Sequence, residues 1–250
     1  GHGPGRYRAP RRRQSPAPVI LEWSQDWARF STAETLVVGL LVVLLVAFVE
    51  IRPRATQVWE RPITIDDAAR TRLRGKTSAE RRRAGKISDR LLWLYTIAPF
   101  ALALALHLMG VTDVAIQVAL VSTLAVLAAS GANRVATTIA GRPRPYTRVL
   151  DADGNVKRAP HAHPERLRSF FSGHTALSAT GAGLLSVFIV KLRLLPPIPA
   201  VLAVLLCIAG ALAVAVLRVR ADRHYLSDVV VGGIVGFLCG AAFPIGMHFS

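Results

Sequence analysis

The feature of this sequence that most constrains its fold is a series of long, unbroken apolar blocks. Each block has about the 17–25 residues that an α-helix needs to cross the hydrocarbon core of a bilayer. Since such blocks are stable in lipid, the sequence predicts an all-α integral membrane protein, a bundle of six transmembrane helices. The predicted spans are residues 35–51, 91–109, 114–140, 173–192, 198–217 and 225–249.

The chain is strongly basic as well as apolar. Hydrophobic residues make up 52% of it, yet its formal net charge is +16, with 31 Lys and Arg against 15 Asp and Glu. The two properties are compatible if the arginines lie in the connections, where they suit anionic lipid headgroups or a phosphorylated substrate. No nucleic-acid-binding motif is recognisable and the connections hold few aromatic residues, so nucleic acid is not expected as a partner.

The chain divides into a polar N-terminal segment and one membrane domain. Residues 1–34 are basic and rich in proline, are predicted to be partly disordered, and begin with GHGPG, which is typical of a tag remnant. Residues 35–250 form the predicted six-span domain. Within it, residues 52–90 are expected to be a basic interfacial segment with an amphipathic helix that contacts anionic headgroups. Nothing in the sequence indicates an oligomeric state.

Six spans place three polar connections on the same side of the membrane. The first connection is residues 52–90, the second 141–172 and the third 218–224. The second opens with GRPRP at 141–145, where two arginines stand between prolines that keep them out of the helix. Guanidinium groups bind phosphate oxygens two at a time, so this stretch is either a phosphate clamp or a basic interfacial anchor.

The second connection ends in RSFFSGHTALSA, residues 168–179, at the start of a predicted span. Ser172 suits the N-cap of that helix, and Gly173 allows a ligand to approach the backbone closely. His174 would then stand beside the free N–H groups and the positive end of the helix dipole, which favour a bound anion. The local sequence is compatible both with a simple cap and with half of an active site.

The third connection leads into His224 and Asp228, four residues apart at the start of the last span. A helix places them on one face. Because an unpaired carboxylate is costly in an apolar segment, Asp228 is predicted to pair with His224, which would fix the imidazole tautomer and leave the other nitrogen as a nucleophile. The alternative is a structural pair flanked by arginine anchors. The three clusters together supply two histidines, several arginines and a helix N-terminus, a set suited to phosphoryl transfer.

The order and spacing of these clusters resemble the type 2 phosphatidic acid phosphatase superfamily, over roughly residues 90–245. The resemblance implies the membrane-bound lipid phosphatase branch, which has six spans and its three signature stretches on one face. Those stretches are Lys-x6-Arg-Pro, matched at Arg144 and Pro145; Pro-Ser-Gly-His, matched at Ser172, Gly173 and His174; and Ser-Arg-x5-His-x3-Asp, matched at Arg218, His224 and Asp228.

The resemblance also implies a role for each matched residue. His224 attacks phosphorus and forms a phosphohistidine, with Asp228 orienting its imidazole. His174 protonates the leaving oxygen and then activates water. No metal or other cofactor is implied. The residues expected to bind the phosphate are Arg144, Ser172, Gly173 and Arg218.

Three positions depart from the family pattern. Thr137 stands where the first stretch has lysine, Phe171 replaces the proline of the second, and Leu217 replaces the serine of the third. The missing lysine removes one cation from the expected phosphate site. Either Arg142 or Arg134 could replace it, and the sequence does not choose between them.

The resemblance implies a lipid phosphate as substrate: a polyprenyl diphosphate, phosphatidylglycerophosphate, phosphatidate or a lipid A phosphate. A phosphotransferase using the same histidine, or a degenerate member that binds lipid without turnover, are the alternatives. The family context implies a bacterial-type inner membrane with the site on the extracytoplasmic face. The Lys and Arg residues are concentrated on the site face, however, which by the positive-inside rule predicts the cytoplasmic side.

Overall fold

The structure of the protein, a computed structural model, describes residues 39–40, 43, 59, 63–150, 156–158 and 164–246. The predicted N-terminal segment and nearly all of the first predicted span lie outside these residues, so both stay predictions.

Over the described residues the chain forms six α-helices and one short hairpin. Five of these helices, α2 to α6, are long and apolar enough to cross a membrane, which makes the chain a multi-pass membrane protein and agrees with five of the six predicted spans. The hairpin pairs β1 (Arg148–Leu150) with β2 (Val156–Arg158) in antiparallel fashion. The helices are α1 (Thr64–Leu73), α2 (Ser78–Leu108), α3 (Thr112–Ala140), α4 (Gly173–Lys191), α5 (Pro197–Arg220) and α6 (Leu226–Gly246).

Helix α2 starts more than three turns before the span predicted at 91–109. The reason is an N-terminal cap at Thr77: its hydroxyl accepts from the Glu80 N–H at 3.1 Å, and the Glu80 carboxylate accepts from the N–H of Lys76, just before the cap, at 3.0 Å. The basic run Arg81–Arg83 therefore belongs to the first turns of a membrane-spanning helix. In the described part of the predicted interfacial segment, α1 is a separate helix and α2 extends through residues 78–90.

The closest helix packing is between α4 and α6. Glycines repeat every fourth residue on α6, the small-xxx-small pattern that lets helices approach in membranes. A Cβ on Gly236 would collide with the carbonyl oxygen of Ala176, and the Thr180 hydroxyl donates to the Gly236 carbonyl at 3.0 Å. This contact fixes the N-terminal ends of α4 and α6 relative to each other. The full stripe is Gly232, Gly236 and Gly240 against Ser172, Ala176 and Thr180.

An apolar core fills the other end of the bundle, between α2, α3 and α4. Leu106, Val118, Leu184 and Phe188 are all fully buried there. Helices α2 and α3 are joined at this end by a short turn at Gly110, which has a positive φ of 84° and so favours glycine. The polar connections lie at the opposite end.

The polar connections meet at one end of the bundle, as predicted. Two arginines at the C-terminal end of α1 hold Asp222 of the third connection: Arg70 Nε lies 2.7 Å from one carboxylate oxygen, and Nε of Arg74, which directly follows α1, lies 2.8 Å from the other. The second connection joins the same surface, because the Ser172 N–H donates to the Asp228 carbonyl at 3.0 Å. Helix α1 therefore lies across the connections that carry the three sequence clusters.

Candidate active site

His224 lies in the loop between α5 and α6, with only 3% of its surface exposed. Its Nδ1 is 2.8 Å from the carbonyl oxygen of Ser169. A carbonyl only accepts hydrogen bonds, so Nδ1 carries the proton and Nε2 has the free lone pair. The predicted neighbour, Asp228, is present, but its nearest oxygen is 3.8 Å from Nδ1. The hydrogen bond expected from the carboxylate is therefore made by a backbone carbonyl, and Asp228 acts on the imidazole through its charge.

Burial and two nearby arginines keep the imidazole of His224 neutral. Burial, and to a lesser extent the positive charges of Arg144 and Arg218, lower its pKa to about 4, against the raising effect of Asp228. At neutral pH the ring is therefore unprotonated at Nε2. The influence of both arginines also places these two predicted phosphate ligands near the predicted nucleophile.

Asp228, in the first turn of α6, is completely buried and accepts hydrogen bonds from three other residues. The Arg142 guanidinium and the Ser169 hydroxyl each donate to one carboxylate oxygen. The Tyr225 N–H donates at 2.9 Å. Ser169 thus binds Asp228 through its hydroxyl and His224 through its carbonyl, which ties the two predicted catalytic residues together. The sequence reasoning identified neither Ser169 nor the pairing with Arg142.

Arg142 has a different environment from the one expected of a phosphate ligand. It is 1% exposed, its Nη2 donates to Asp66 of α1 at 2.6 Å, and its other amino group binds Asp228. Its guanidinium carbon lies 4.3 Å from the ring centroids of both Trp59 and Tyr225, a cation–π arrangement. Arg142 is therefore held between two carboxylates and two rings, which favours a structural role, and its replacement of the family lysine stays a prediction.

The position of the family lysine holds no cation. Thr137 is buried, and its hydroxyl donates to the carbonyl oxygens of Asn133 and Arg134 at 2.9 and 3.0 Å. Arg134 and Arg142 therefore both stay candidates for the missing cation.

Ser172 caps α4, as predicted. Its hydroxyl accepts from the Thr175 N–H at 3.4 Å and from the Thr175 hydroxyl at 3.0 Å. Gly173 follows it, and a Cβ there would lie 3.0 Å from the side-chain oxygen of Asn133. Asn133 also donates to the Phe171 carbonyl at 2.6 Å. An amide from α3 thus holds the loop that carries Phe171, the position where the family has proline.

His174 and Arg218 meet at a carboxylate that the sequence reasoning missed. His174 Nε2 lies 2.9 Å from Oδ1 of Asp89, and Arg218 Nη1 lies 3.1 Å from the same oxygen. Arg218 Nη1 also donates to the Ser88 hydroxyl at 3.2 Å. Asp89 is in the basic N-terminal part of α2, where a lone carboxylate looks like part of a solvated face.

Arg144 is positioned by the backbone of the second connection. Its N–H donates to the Arg166 carbonyl at 2.7 Å, in a 3-10 turn at Pro164–Leu167. The structure therefore brings all the residues predicted for the site to the polar end of the bundle. Those residues are Arg144, Ser172, Gly173, His174, Arg218, His224 and Asp228.

A comparison with protein-family models matches residues 117–249 to the PAP2 superfamily, just over half of the chain. The chain belongs to the type 2 phosphatidic acid phosphatase (PAP2) superfamily. Members of this family are generally phosphatases, which act on phosphate esters. The same comparisons find no matching curated protein and no matching solved structure. In this PAP2 protein, Asp66 and Asp89 precede the matched region, so the family pattern does not include either carboxylate.

Proposed function

We propose that this PAP2 protein hydrolyses the phosphomonoester or diphosphate of a membrane lipid through a phosphohistidine formed on His224. The observation that carries the proposal is the environment of His224. Its Nδ1 proton is held by the Ser169 carbonyl, its imidazole is neutral, and two arginines lie near enough to lower its pKa. A buried neutral imidazole with its Nε2 lone pair beside cations is suited to attack on an anionic phosphorus centre.

The proposed reaction has two steps, formation of the phosphohistidine and its hydrolysis. His224 Nε2 forms a bond to phosphorus while the bond from phosphorus to the leaving oxygen breaks, and that oxygen takes a proton from His174. Water then attacks phosphorus, the N–P bond breaks, and His174 accepts the proton of the water. The negative charge of Asp228 stabilises the His224 imidazole as it becomes positive. The groups that hold the phosphoryl oxygens are Arg144, Arg218, Ser172 and the N–H of Gly173.

A lipid substrate is favoured by an apolar cavity next to the site. The cavity has a volume of about 660 Å³ and lies between α5 and α6, with walls that include Leu212, Val219 and Val229. Thr175 also lines it and is hydrogen-bonded to Ser172, so the cavity reaches the capped end of α4. A lipid tail in this cavity would leave its phosphate at the polar end. Candidate substrates are polyprenyl diphosphates, phosphatidylglycerophosphate, phosphatidate and lipid A phosphates.

For the membrane orientation, we propose a bacterial-type inner membrane with the site on the extracytoplasmic face. Part of the basic excess on the site face is neutralised internally, since Arg142 is bound to two carboxylates and Arg70 and Arg74 to Asp222. The exposed arginines that begin α2 would contact anionic headgroups. Labelling of a cysteine placed within residues 152–158, in intact cells, tests the orientation; a label that enters only after permeabilisation would overturn it.

Phosphate release from a panel of lipid phosphates in detergent tests the activity. We expect turnover by the wild type, unaffected by EDTA, and a loss of at least about a thousandfold in His224→Ala. His107→Ala is the matched control, because this histidine is exposed in the turn region at the other end of the bundle. Undiminished turnover by His224→Ala would contradict the proposal.

Product analysis separates the alternatives. A phosphotransferase would transfer the phosphoryl group to an acceptor other than water, so the acceptor ester would appear in place of free phosphate. A degenerate member would bind anionic lipid vesicles and release nothing, which Thr137 at the lysine position would favour.

A further inference from the structure

Asp89 is placed at the site by a helix that the family match does not include. It lies in the polar N-terminal part of α2, next to Ser88, whose hydroxyl is anchored on the Gly85 carbonyl at 2.7 Å. Its side chain is 54% exposed, so it is not a core residue that packing requires. Exposed carboxylates are usually solvated, so the two side-chain contacts that Asp89 makes indicate a specific role.

Both contacts of Asp89 are to groups of the proposed reaction. One oxygen, Oδ1, lies 2.9 Å from His174 Nε2 and 3.1 Å from Arg218 Nη1. An ionised carboxylate only accepts hydrogen bonds, so the proton between Asp89 and His174 belongs to Nε2. The other ring nitrogen, Nδ1, is then the one that can exchange a proton with the substrate.

We infer that Asp89 is a positioning residue for His174, which holds the imidazole by its Nε2–H so that Nδ1 delivers the proton to the leaving oxygen. This inference rests on the proposed function. As the bond from His224 Nε2 to phosphorus forms, the bond to the leaving oxygen breaks and the Nδ1 proton moves to that oxygen. For this step the ring must carry a proton on both nitrogens, and the Asp89 carboxylate stabilises that positive charge beside Arg218. In the second step Nδ1 recovers a proton from the attacking water.

A rival role for Asp89 makes different kinetic predictions. Its Oδ1 contacts a histidine and an arginine that a phosphoryl oxygen would also contact, so the carboxylate could be an anion that the substrate must displace. In that case removing its charge would improve substrate binding. For a positioning residue, removal of the charge impairs proton delivery to the leaving oxygen.

Leaving-group dependence distinguishes these roles. The test compares wild type and Asp89→Asn with two lipid-like phosphomonoesters, one with an alkyl alcohol and one with a nitrophenol as leaving group. Only the alkyl alcohol needs protonation as it leaves. We expect kcat/KM, which reports formation of the phosphohistidine, to fall by about 10- to 100-fold for the alkyl ester and by less than about threefold for the nitrophenyl ester.

Two further variants make the test specific. Asp67→Asn is the matched control, because Asp67 is on the same polar end, is 53% exposed and loses the same charge; we expect unchanged kinetics with both esters. His174→Ala should show the same selective loss as Asp89→Asn, and the double variant should lose no more than His174→Ala alone, since Asp89 acts through His174.

The outcomes are distinct. An equal loss with both esters would assign Asp89 a merely structural role and overturn the inference. A higher kcat/KM with both, through a lower KM, would identify it as a displaceable anion and overturn the inference as well. If the wild type released no phosphate from either ester, the proposed function itself would be contradicted and this inference with it.

Discussion

At the scale of single residues, the environment of Asp228 explains how a carboxylate stays ionised in a buried helix end. Its partners come from three segments: Arg142 follows α3, Ser169 precedes α4, and Tyr225 precedes α6. Asp66, from α1, accepts a hydrogen bond from the other amino group of Arg142. A buried charge is tolerated when it is paired and fully hydrogen-bonded, and this network meets that condition.

Replacement of Arg142 by alanine is expected to destabilise the protein by about 3–5 kcal/mol, because Asp66 and Asp228 would lose the cation that they share. Thermal unfolding in detergent measures this loss. Arg82→Ala, on an exposed face of α2, should unfold at the wild-type temperature. An unchanged unfolding temperature with a raised KM in Arg142→Ala would instead identify this arginine as a phosphate ligand.

The depressed pKa of His224 sets the acid limit of activity. Protonation at Nε2 removes the nucleophile, so the kcat/KM of the wild type should fall on this account only as the pH drops through about 4. Arg144 lowers that pKa by its charge. In Arg144→Gln the pKa rises, and the acid limb should move to higher pH, together with a loss of at least about tenfold in kcat/KM from the missing phosphate contact.

Arg144→Lys is the control for this shift, because it keeps the positive charge. Its acid limb should stay at the wild-type position, and the ionisation of the substrate is common to all three proteins. An acid limb that does not move in Arg144→Gln would contradict the proposed proximity of Arg144 to His224.

At the scale of elements, the contact between α4 and α6 sets the geometry of the reacting groups. His174 is the second residue of α4, and Asp228 is the third of α6. Neither helix can slide without breaking the close approach at Gly236 and the bond from the Ser172 N–H to the Asp228 carbonyl. The glycine stripe therefore positions the ends of α4 and α6 together with the hydrogen bonds between them.

Gly236→Ala is expected to destabilise the protein by about 1–3 kcal/mol and to lower kcat, since its Cβ would force α4 away from α6. Gly233→Ala is a matched control on the same helix: its Cβ would meet the nearest atom, Thr175 Cγ2, at an ordinary 3.7 Å. Unfolding temperature and kcat of both variants test the contact. Equal tolerance of the two substitutions would show that the helices are not packed this closely.

At the scale of the whole molecule, the helices were predictable because apolar blocks of span length have few other stable structures. Helices α3 to α6 begin and end within a turn of the predicted spans. The start of α2 was missed because its first turns are basic and polar, and are specified by a cap at Thr77 instead of by hydrophobicity. The meeting of the polar connections followed from the parity of the spans.

The site was only partly predictable, for a different physical reason. His224 and Asp228 stand at helical spacing, so sequence alone brings them together. Asp66 and Asp89 bind partners 76 and 129 residues away, Arg142 and Arg218, and no local periodicity reports such contacts. Asp89 looked like a single acid in a basic segment and Asp66 like half of an acidic pair in a helix's first turn, although both are bound to arginines at the polar end.

The short turn at Gly110 separates the residues of the site into two parts of the chain. Every group assigned to bond making or phosphate binding follows the turn, whereas Asp66 and Asp89 precede it. Two polypeptides cut at this turn would therefore hold complementary halves of one enzyme. We expect residues 111–250 alone to release no phosphate, and co-expression with residues 1–110 to restore turnover in trans. Full turnover by residues 111–250 alone would mean that the chemistry is independent of the first half, and that the carboxylates of α1 and α2 are dispensable.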